Sequence, residues 1–354
     1  MGYKILAINP GSTSTKISVS NDDKFILVED IVHTQEELKS FERISDQLNY
    51  RKKVILEKLK KKGIPFKFDA IIGRGGLAKA VESGVYKVTT EMINAQLTAF
   101  HQHACDLGCA IAYEIGKEVG CCNCFIADPG VVDEMLPEAH ISGTPLISRV
   151  CIWHALNQKA IARRFANDIG KRYEELNLIV CHLGGGISIA AHERGKAVDA
   201  NNALNGEGPF SPERTGSLPV ADLIHLCYSG KFTEQELITY ISSKAGLTAH
   251  LGTNNCLEIE RRIKCGDKHA ELIFKAMAYH IAKSVAAEGA VLCGNIDAVI
   301  FTGGIARSTY MMDIFKKRLS YLAPIYIYPG QDEMLALTEN AIAVLKGNRD
   351  AKDY

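Results

Sequence analysis

"YKILAINPGSTSTKISVSNDDKFILVEDI", Tyr3–Ile31, contains three apolar runs separated by a Gly/Ser/Thr turn and by "SNDDK". Short Ile- and Val-rich runs broken by turn residues spell an antiparallel three-strand meander. The pattern returns at "LNLIVCHLGGGISIAAHERGKAVDANNA", Leu176–Ala203, as strand, glycine-rich turn, strand, "HERGK" turn, strand. The chain reads as making the same object twice. Between the two meanders lie helical stretches, Gln35–Lys62 and His101–Val119, and the short apolar strands "DAIIG" from Asp69 and "CFIAD" from Cys124. After the second come helical patterns at Asp222–Cys227, Glu234–Ser242 and Asp267–Leu292, the buried strands "DAVIFTGG" and "PIYIYPG", and a closing helix, Glu333–Lys346. A meander followed by helix-linked strands, repeated, predicts two α/β domains of like design facing each other across a cleft. The break is expected near "SGTPLIS", Ser142–Ser148, which gives a first domain of 1–147 plus 325–354 and a second of 148–324.

Composition bounds the function. The 354 residues are 47% hydrophobic and 23% charged, ordinary for two globular domains. Formal net charge is +0 and the densest basic run is "KLKKK", Lys58–Lys62, so nucleic acid and acidic membrane are not expected partners. The N-terminal apolar run "ILAI" is only four residues long, and no window approaches a membrane span, so the chain reads as cytoplasmic. In that compartment the eleven cysteines are expected as free thiols. "CCNC", Cys121–Cys124, holds one C-x-x-C pair with no second pair at zinc spacing, which favours buried thiols on a strand.

Two turns carry the chemistry. A tight turn of small residues points backbone N–H groups into one space, and Ser or Thr hydroxyls add donors that suit phosphate oxygens. "GSTSTK" offers Ser12, Thr13, Ser14 and Lys16, and "GGGIS" offers Gly184, Gly185, Gly186 and Ser188, at corresponding points of the repeated unit. A third glycine pair, in "TGGIAR", ends a buried strand, where ligands approach open α/β sheets. Neither a P-loop nor a dinucleotide-binding spacing is present, so a bound nucleotide is held differently.

"INPGSTSTK", "CHLGGGIS", "FTGGIA" and "GQDEMLA" resemble, in order, the phosphate, second phosphate, adenosine and C-terminal acidic motifs of the acetate kinase family, within the acetate and sugar kinase/heat-shock/actin superfamily. "NPGSTSTK", "GRGGL" and "GPFSPERTGSLP" resemble its butyrate kinase branch. The resemblance covers nearly the whole chain. It implies two ribonuclease H-like domains and reversible transfer of the ATP γ-phosphoryl group to butyrate or a related short or branched carboxylate, giving acyl phosphate and ADP. It also implies ATP/ADP as co-substrate, Mg²⁺, and a homodimer or larger homo-oligomer. A carboxylate with a pKa near ~4–5 is ionised at neutral pH, so no catalytic base is needed; two anions must be brought together and charge on the moving phosphoryl neutralised.

By the same resemblance, Asp128 in "FIADPG" and Glu333 in "GQDEMLA" are the Mg²⁺ candidates, and Arg214 in "PERTG" is expected on the carboxylate or transferring phosphoryl. Arg74 in "IIGRGG" stands where the family has a histidine, with Ile71 in the usual arginine position, and is nominated as the carboxylate-side cation. His182 in "CHLGGG" matches the second phosphate motif, His154 in "WHALNQK" matches the first histidine of the family's H-G-T-S-H, and His103 is ranked above His101 for a third active-site histidine. Asn9, Ser12, Ser14 and Lys16 complete the first turn, with Gly184, Gly185 and Gly186 in the second. Gly303, Gly304 and Arg307 are expected at adenosine, although "ARST" replaces the longer family motif there. A sugar or polyol kinase would need a base, for which Asp128 could serve. An ATP-driven clamp or a zinc or redox protein built on "CCNC" are the other classes weighed.

Overall fold

The computed structural model describes residues 2–98 and 103–354, which fall into two compact units. The first comprises Met1–Asp133, Ala155–Asn157 and Asp332–Tyr354; the second comprises Glu134–His154 and Gln158–Gln331.

In the first unit β1 (Lys4–Pro10), β2 (Ser14–Asn21) and β3 (Lys24–Val32) form the expected antiparallel meander. β4 (Ala70–Arg74) adds parallel to β1, β5 (Val85–Lys87) lies antiparallel on the far side, and β6 (Cys124–Ala127) sits between β4 and β5. Alternation along each strand sorts the side chains. Leu6, Ile8, Ile17 and Val19 pack in one core with Ile55 and Leu59 of helix Leu48–Lys61 and with Leu107, Ile111 and Ile115 of helix Leu107–Val119. Ile5 and Ala7, one step out of phase, are equally buried.

The second unit repeats the plan. β7 (Asn177–Leu183), β8 (Ile187–Glu193) and β9 (Lys196–Ala200) make a meander, and β10 (Ala298–Gly303) and β11 (Ile325–Pro329) extend it in parallel. The order β11-β10-β7-β8-β9 matches β6-β4-β1-β2-β3, and in both meanders the pairing of second and third strands shifts register, opposite Val19/Ser20 and opposite Ala191/His192. Ile179, Cys181 and Leu183 pack with Phe274, Met277 and Ile281 of helix Lys268–Val291, while Leu178 and Val180 join Ile161 and Phe165 of helix Ala155–Asp168. The fold is two α/β units of duplicated design.

Several local expectations change. Gln35–Lys62 is not one helical run: Gln35–Lys39 is capped by Thr34 and ends at Ser40, a 3₁₀ turn follows at Ile44–Gln47, and Leu48–Lys61 begins after it. The sequence places residues 325–331 with the first domain; the parallel pairing of β11 with β10 sets the strand in the second sheet. At the chain's end β12 (Ala351–Lys352) pairs with β5, and Lys352 Nζ donates to Ser83 O at 3.0 Å. None of the eleven cysteines is in a disulfide, and no group of three His, Cys, Asp or Glu side chains among the described residues could hold a metal. No described helix is long and apolar enough to cross a membrane.

One buried carboxyl gives the fold a measurable pH dependence. Burial, and then the charge of Asp199, push Glu288 up to about 8, and its Oε2 has no hydrogen-bond partner among the described residues. Between the ordinary carboxylate range and pH 8 the folded chain holds a proton there that the unfolded chain has released. Stability therefore falls as pH rises through this window, by at most about 1.4 kcal/mol per pH unit. Glu288→Gln is expected to flatten the slope and to raise the denaturation midpoint at pH 8 above wild type, as read by denaturant titrations at pH 5 and 8. Equal slopes in the two proteins would remove Glu288 from the account.

Candidate active site

The first turn is built on the hairpin between β1 and β2. Gly11 N–H donates to Ser14 O at 2.8 Å, which closes the turn and leaves Ser12 exposed and Ser14 half-buried. Lys16 lies in β2 opposite Asn9 and is half-buried, with no hydrogen bond or ion pair among the described residues. Behind the turn stands Arg51, 1% exposed. Its Nη1 donates to Gly11 O at 2.9 Å, Ser14 O at 3.1 Å and Thr15 Oγ1 at 2.9 Å, its Nη2 to Ser12 O at 3.4 Å, and its Nε to Gln47. Burial pulls this guanidinium down to about 10, so it remains charged at neutral pH. With its carbonyls drawn inward onto a cation, the turn is suited to an anion on its other side.

Beside it, Asn9, Arg74 and Glu333 come together. Arg74 ends β4 and pairs with Glu333 at 3.1 Å, Asn9 Nδ2 donates to Glu333 Oε2, and the Glu333 charge holds the Arg74 pKa above its ordinary value. Glu333 opens helix Glu333–Leu345, where a first-turn carboxylate is favoured by the helix dipole. Asp128 is engaged separately: it is buried at φ 38°, and its Oδ1 accepts from Ser83 Oγ at 2.7 Å and Gly84 N at 2.8 Å. His103 starts a 3₁₀ turn, its Nδ1 accepting from Cys105 N at 3.2 Å. His101 lies outside the described residues. Next to His103, Asp106 accepts from Leu77 N and His103 N, yet burial outweighs these bonds and raises it to about 6.

Asp128 and Glu333 supply hard oxygen donors of the kind Mg²⁺ takes alongside water and phosphate oxygens. The part these side chains can offer is that of one or two carboxylates to a mostly hydrated ion, since they form no closed cage of protein ligands.

In the second unit, Gly184, Gly185 and Gly186 join β7 to β8, with Gly184 N–H donating to Gly186 O at 3.1 Å. Arg214 lies across Gly186 so closely that a Cβ there would collide with its guanidinium. Its Nη1 donates to Ala203 O at 2.6 Å and its Nε to Ser242 O at 3.2 Å. Nη2 has no protein partner among the described residues, and Arg214 forms no ion pair with the neighbouring Glu207 or Glu213: Glu207 pairs with Arg149 and Glu213 accepts from Asn254. Ser211 ties this segment to the turn, accepting from Arg214 N and donating to Gly185 O at 2.6 Å. Burial lowers the Arg214 pKa from its ordinary value.

His182 is fully buried in β7, and His154, just before helix Ala155–Asp168, stacks on it with ring centroids 3.9 Å apart. Gly303, at φ +90°, ends β10 where any side chain would strike Leu183 O. Gly304 has open space around its Cα, and the exposed Arg307 lies against Gly330.

Two duplicated α/β units, each with a small-residue turn backed by an arginine on carbonyl oxygens, define a protein built to hold anions. The chain belongs to the acetokinase family: that family's model matches residues 146–326. It is 56% identical to a probable butyrate kinase of Bacteroides thetaiotaomicron over 99% of both chains, and 47% identical to butyrate kinase 2 of Clostridium acetobutylicum over 100% of both. In fold it is similar to the crystal structure of Porphyromonas gingivalis acetate kinase, with a TM-score of 0.77 at 20% identity, covering 97% of this chain and 100% of that one.

Arg51 is the residue the sequence reading misses. It shares its helix face with Ile55 and Leu59, four and eight residues on, and a charged residue on that apolar stripe was the available signal. Arg51→Met is expected to leave buried carbonyls unpaired and to cost about 2–4 kcal/mol, measured by chemical denaturation. A loss below about 0.5 kcal/mol would show that the brace is dispensable. Gly186→Ala is expected to push Arg214 off its carbonyl anchors. Its turnover should fall about 10²–10³-fold, as for Arg214→Ala; wild-type turnover would contradict the assigned place of Arg214.

Proposed function

We propose that the chain is a butyrate kinase, transferring the γ-phosphoryl group of ATP to butyrate or a related short or branched-chain carboxylate to give acyl phosphate and ADP, reversibly. The observation that carries this reading is Arg214, held over the Gly184–Gly186 turn by two carbonyls and by no carboxylate. Such a guanidinium keeps its charge for an incoming anion. Relatives at 47–56% identity named as butyrate kinases support the same acceptor.

The acceptor carboxylate is ionised at neutral pH and attacks without a base, so these side chains serve to orient and to neutralise. Arg214 and the second turn face the transferring phosphoryl, Arg74 the carboxylate, and the first turn, with Asn9, Ser12, Ser14 and Lys16, a phosphate. His154, His182 and His103 contribute donors, and Gly303, Gly304 and Arg307 meet adenosine. Mg²⁺, near Asp128 and Glu333, supplies charge neutralisation on the phosphates when bound. A hydroxyl acceptor would in addition need a general base, which an ionised carboxylate acceptor does not. The working form is a homodimer or larger homo-oligomer.

The test is Mg²⁺-dependent acyl phosphate formation from ATP, trapped as hydroxamate, across acetate, propionate, butyrate, isobutyrate and valerate, with glycerol and hexoses as controls. Activity should peak at butyrate or isobutyrate, with neighbouring acids within about 10–200-fold of one another because one methylene is worth only about 1–3 kcal/mol. ADP release with a polyol, and no hydroxamate from any acid, would sink the proposal.

A further inference from the structure

A line of buried hydrogen bonds runs through the second unit to His154. Tyr173 Oη lies 2.6 Å from His192 Nδ1, and His192 Nε2 lies 3.1 Å from Gln158 Oε1. Gln158 Nε2 reaches Ser188 O at 3.1 Å and Ser188 Oγ at 2.8 Å. Ser188 Oγ in turn lies 3.2 Å from His154 N and 2.8 Å from His154 Nδ1. Gln158, Ser188 and His192 are 0% exposed, so water does not compete for these bonds.

Two backbone groups fix the direction of the bonds from His192 Nε2 to His154. Ser188 O can only accept, so the Gln158 atom facing it is the amide nitrogen, and Oε1 faces His192. His192 Nε2 must then carry a proton. Burial, followed by Lys159 and Arg163, holds the His192 pKa well below its ordinary value, so the ring is neutral and its Nδ1 accepts from Tyr173 O–H. At the other end, His154 N–H can only donate. Ser188 Oγ therefore spends both lone pairs, one on Gln158 Nε2–H and one on His154 N–H. Its own proton is left with one place to go, His154 Nδ1.

We infer that Ser188, Gln158, His192 and Tyr173 form a positioning relay that holds His154 with Nδ1 as an acceptor and its proton on Nε2. A proton on Nδ1 would give the Ser188 hydroxyl three donors and no acceptor for its own hydrogen. The stack on His182 fixes the plane of the same ring. The inference deepens the proposed function, and its use in catalysis rests on that reading. A neutral N–H at a set position can hydrogen-bond a phosphoryl oxygen without carrying a second proton to lose to it.

The experiment reads ring-nitrogen chemical shifts of the full chain labelled with ¹⁵N-histidine, with the His154 signals identified by their loss in His154→Gln. Expected for wild type is a pyridine-type shift at Nδ1 and a pyrrole-type shift at Nε2. In Gln158→Glu the new carboxylate accepts a hydrogen bond from the Ser188 hydroxyl, whose Oγ then accepts from His154 Nδ1–H, and the two shifts should exchange. Ser188→Ala, which removes the donor with little change in volume, should abolish the pyridine-type bias at Nδ1 and serves if Gln158→Glu does not fold. A pyrrole-type Nδ1 in wild type, or a pattern unchanged in the folded variants, would overturn the relay. Because the spectra are taken on the resting protein, absence of carboxylate kinase activity would defeat the proposed function and leave the tautomer result standing.

Discussion

Guanidinium groups bonded to backbone carbonyls are the constraint on which the candidate site depends. Arg51 gathers the carbonyls of Gly11, Ser12 and Ser14, and Arg214 those of Ala203 and Ser242 beside the second glycine turn. A carbonyl has a partial charge and does not neutralise a cation as a carboxylate does, so each guanidinium keeps its charge while the geometry of its turn is fixed. The cost is burial of charge, visible in the lowered pKa of both groups. Arg74 is the counterexample. It is matched to Glu333, and its charge counts toward an outside anion only as part of that pair.

The duplication makes these turns comparable. β1–β2 and β7–β8 occupy the same place in the five-strand order that the two sheets share, and in both meanders the pairing of second and third strands shifts register. The bracing differs because the sequences around the turns differ. The first turn is held from behind by a helix residue that also fills a core stripe. The second is held by the Ser211–Arg214 segment, whose serine hydroxyl donates to the turn itself. Gly186 is what allows a guanidinium to lie flat on that turn.

Much of this was legible in the sequence because it is local. Alternating apolar runs and turn residues gave the strands of both meanders, and the glycine and hydroxyl residues marked both turns. Interactions at long range were not legible. Helix Ala155–Asp168 hid because Lys159 interrupts its apolar face, and only the fold supplies Glu134 at 2.6 Å to pair with it. β5 and β12 are three and two residues long, too short for periodicity to speak. Asp128 and Glu333 were named as Mg²⁺ candidates, but their protein contacts were not legible: Asp128 accepts from Ser83 and Gly84, and Glu333 meets Arg74 and Asn9. Ser188 was visible as a hydroxyl in a phosphate-type turn, but its tie to His154 depends on Gln158, thirty residues away.

The most direct test of carbonyl-anchored arginine as the anion holder is a crystal structure of the chain with ADP, Mg²⁺, aluminium fluoride and butyrate, which mimics the phosphoryl in flight. The account predicts that Arg214 keeps Ala203 O and Ser242 O and places Nη2 within hydrogen-bond distance of an equatorial fluoride above Gly184–Gly186. A fluoride group bound elsewhere, with Arg214 turned to a carboxylate, would contradict it.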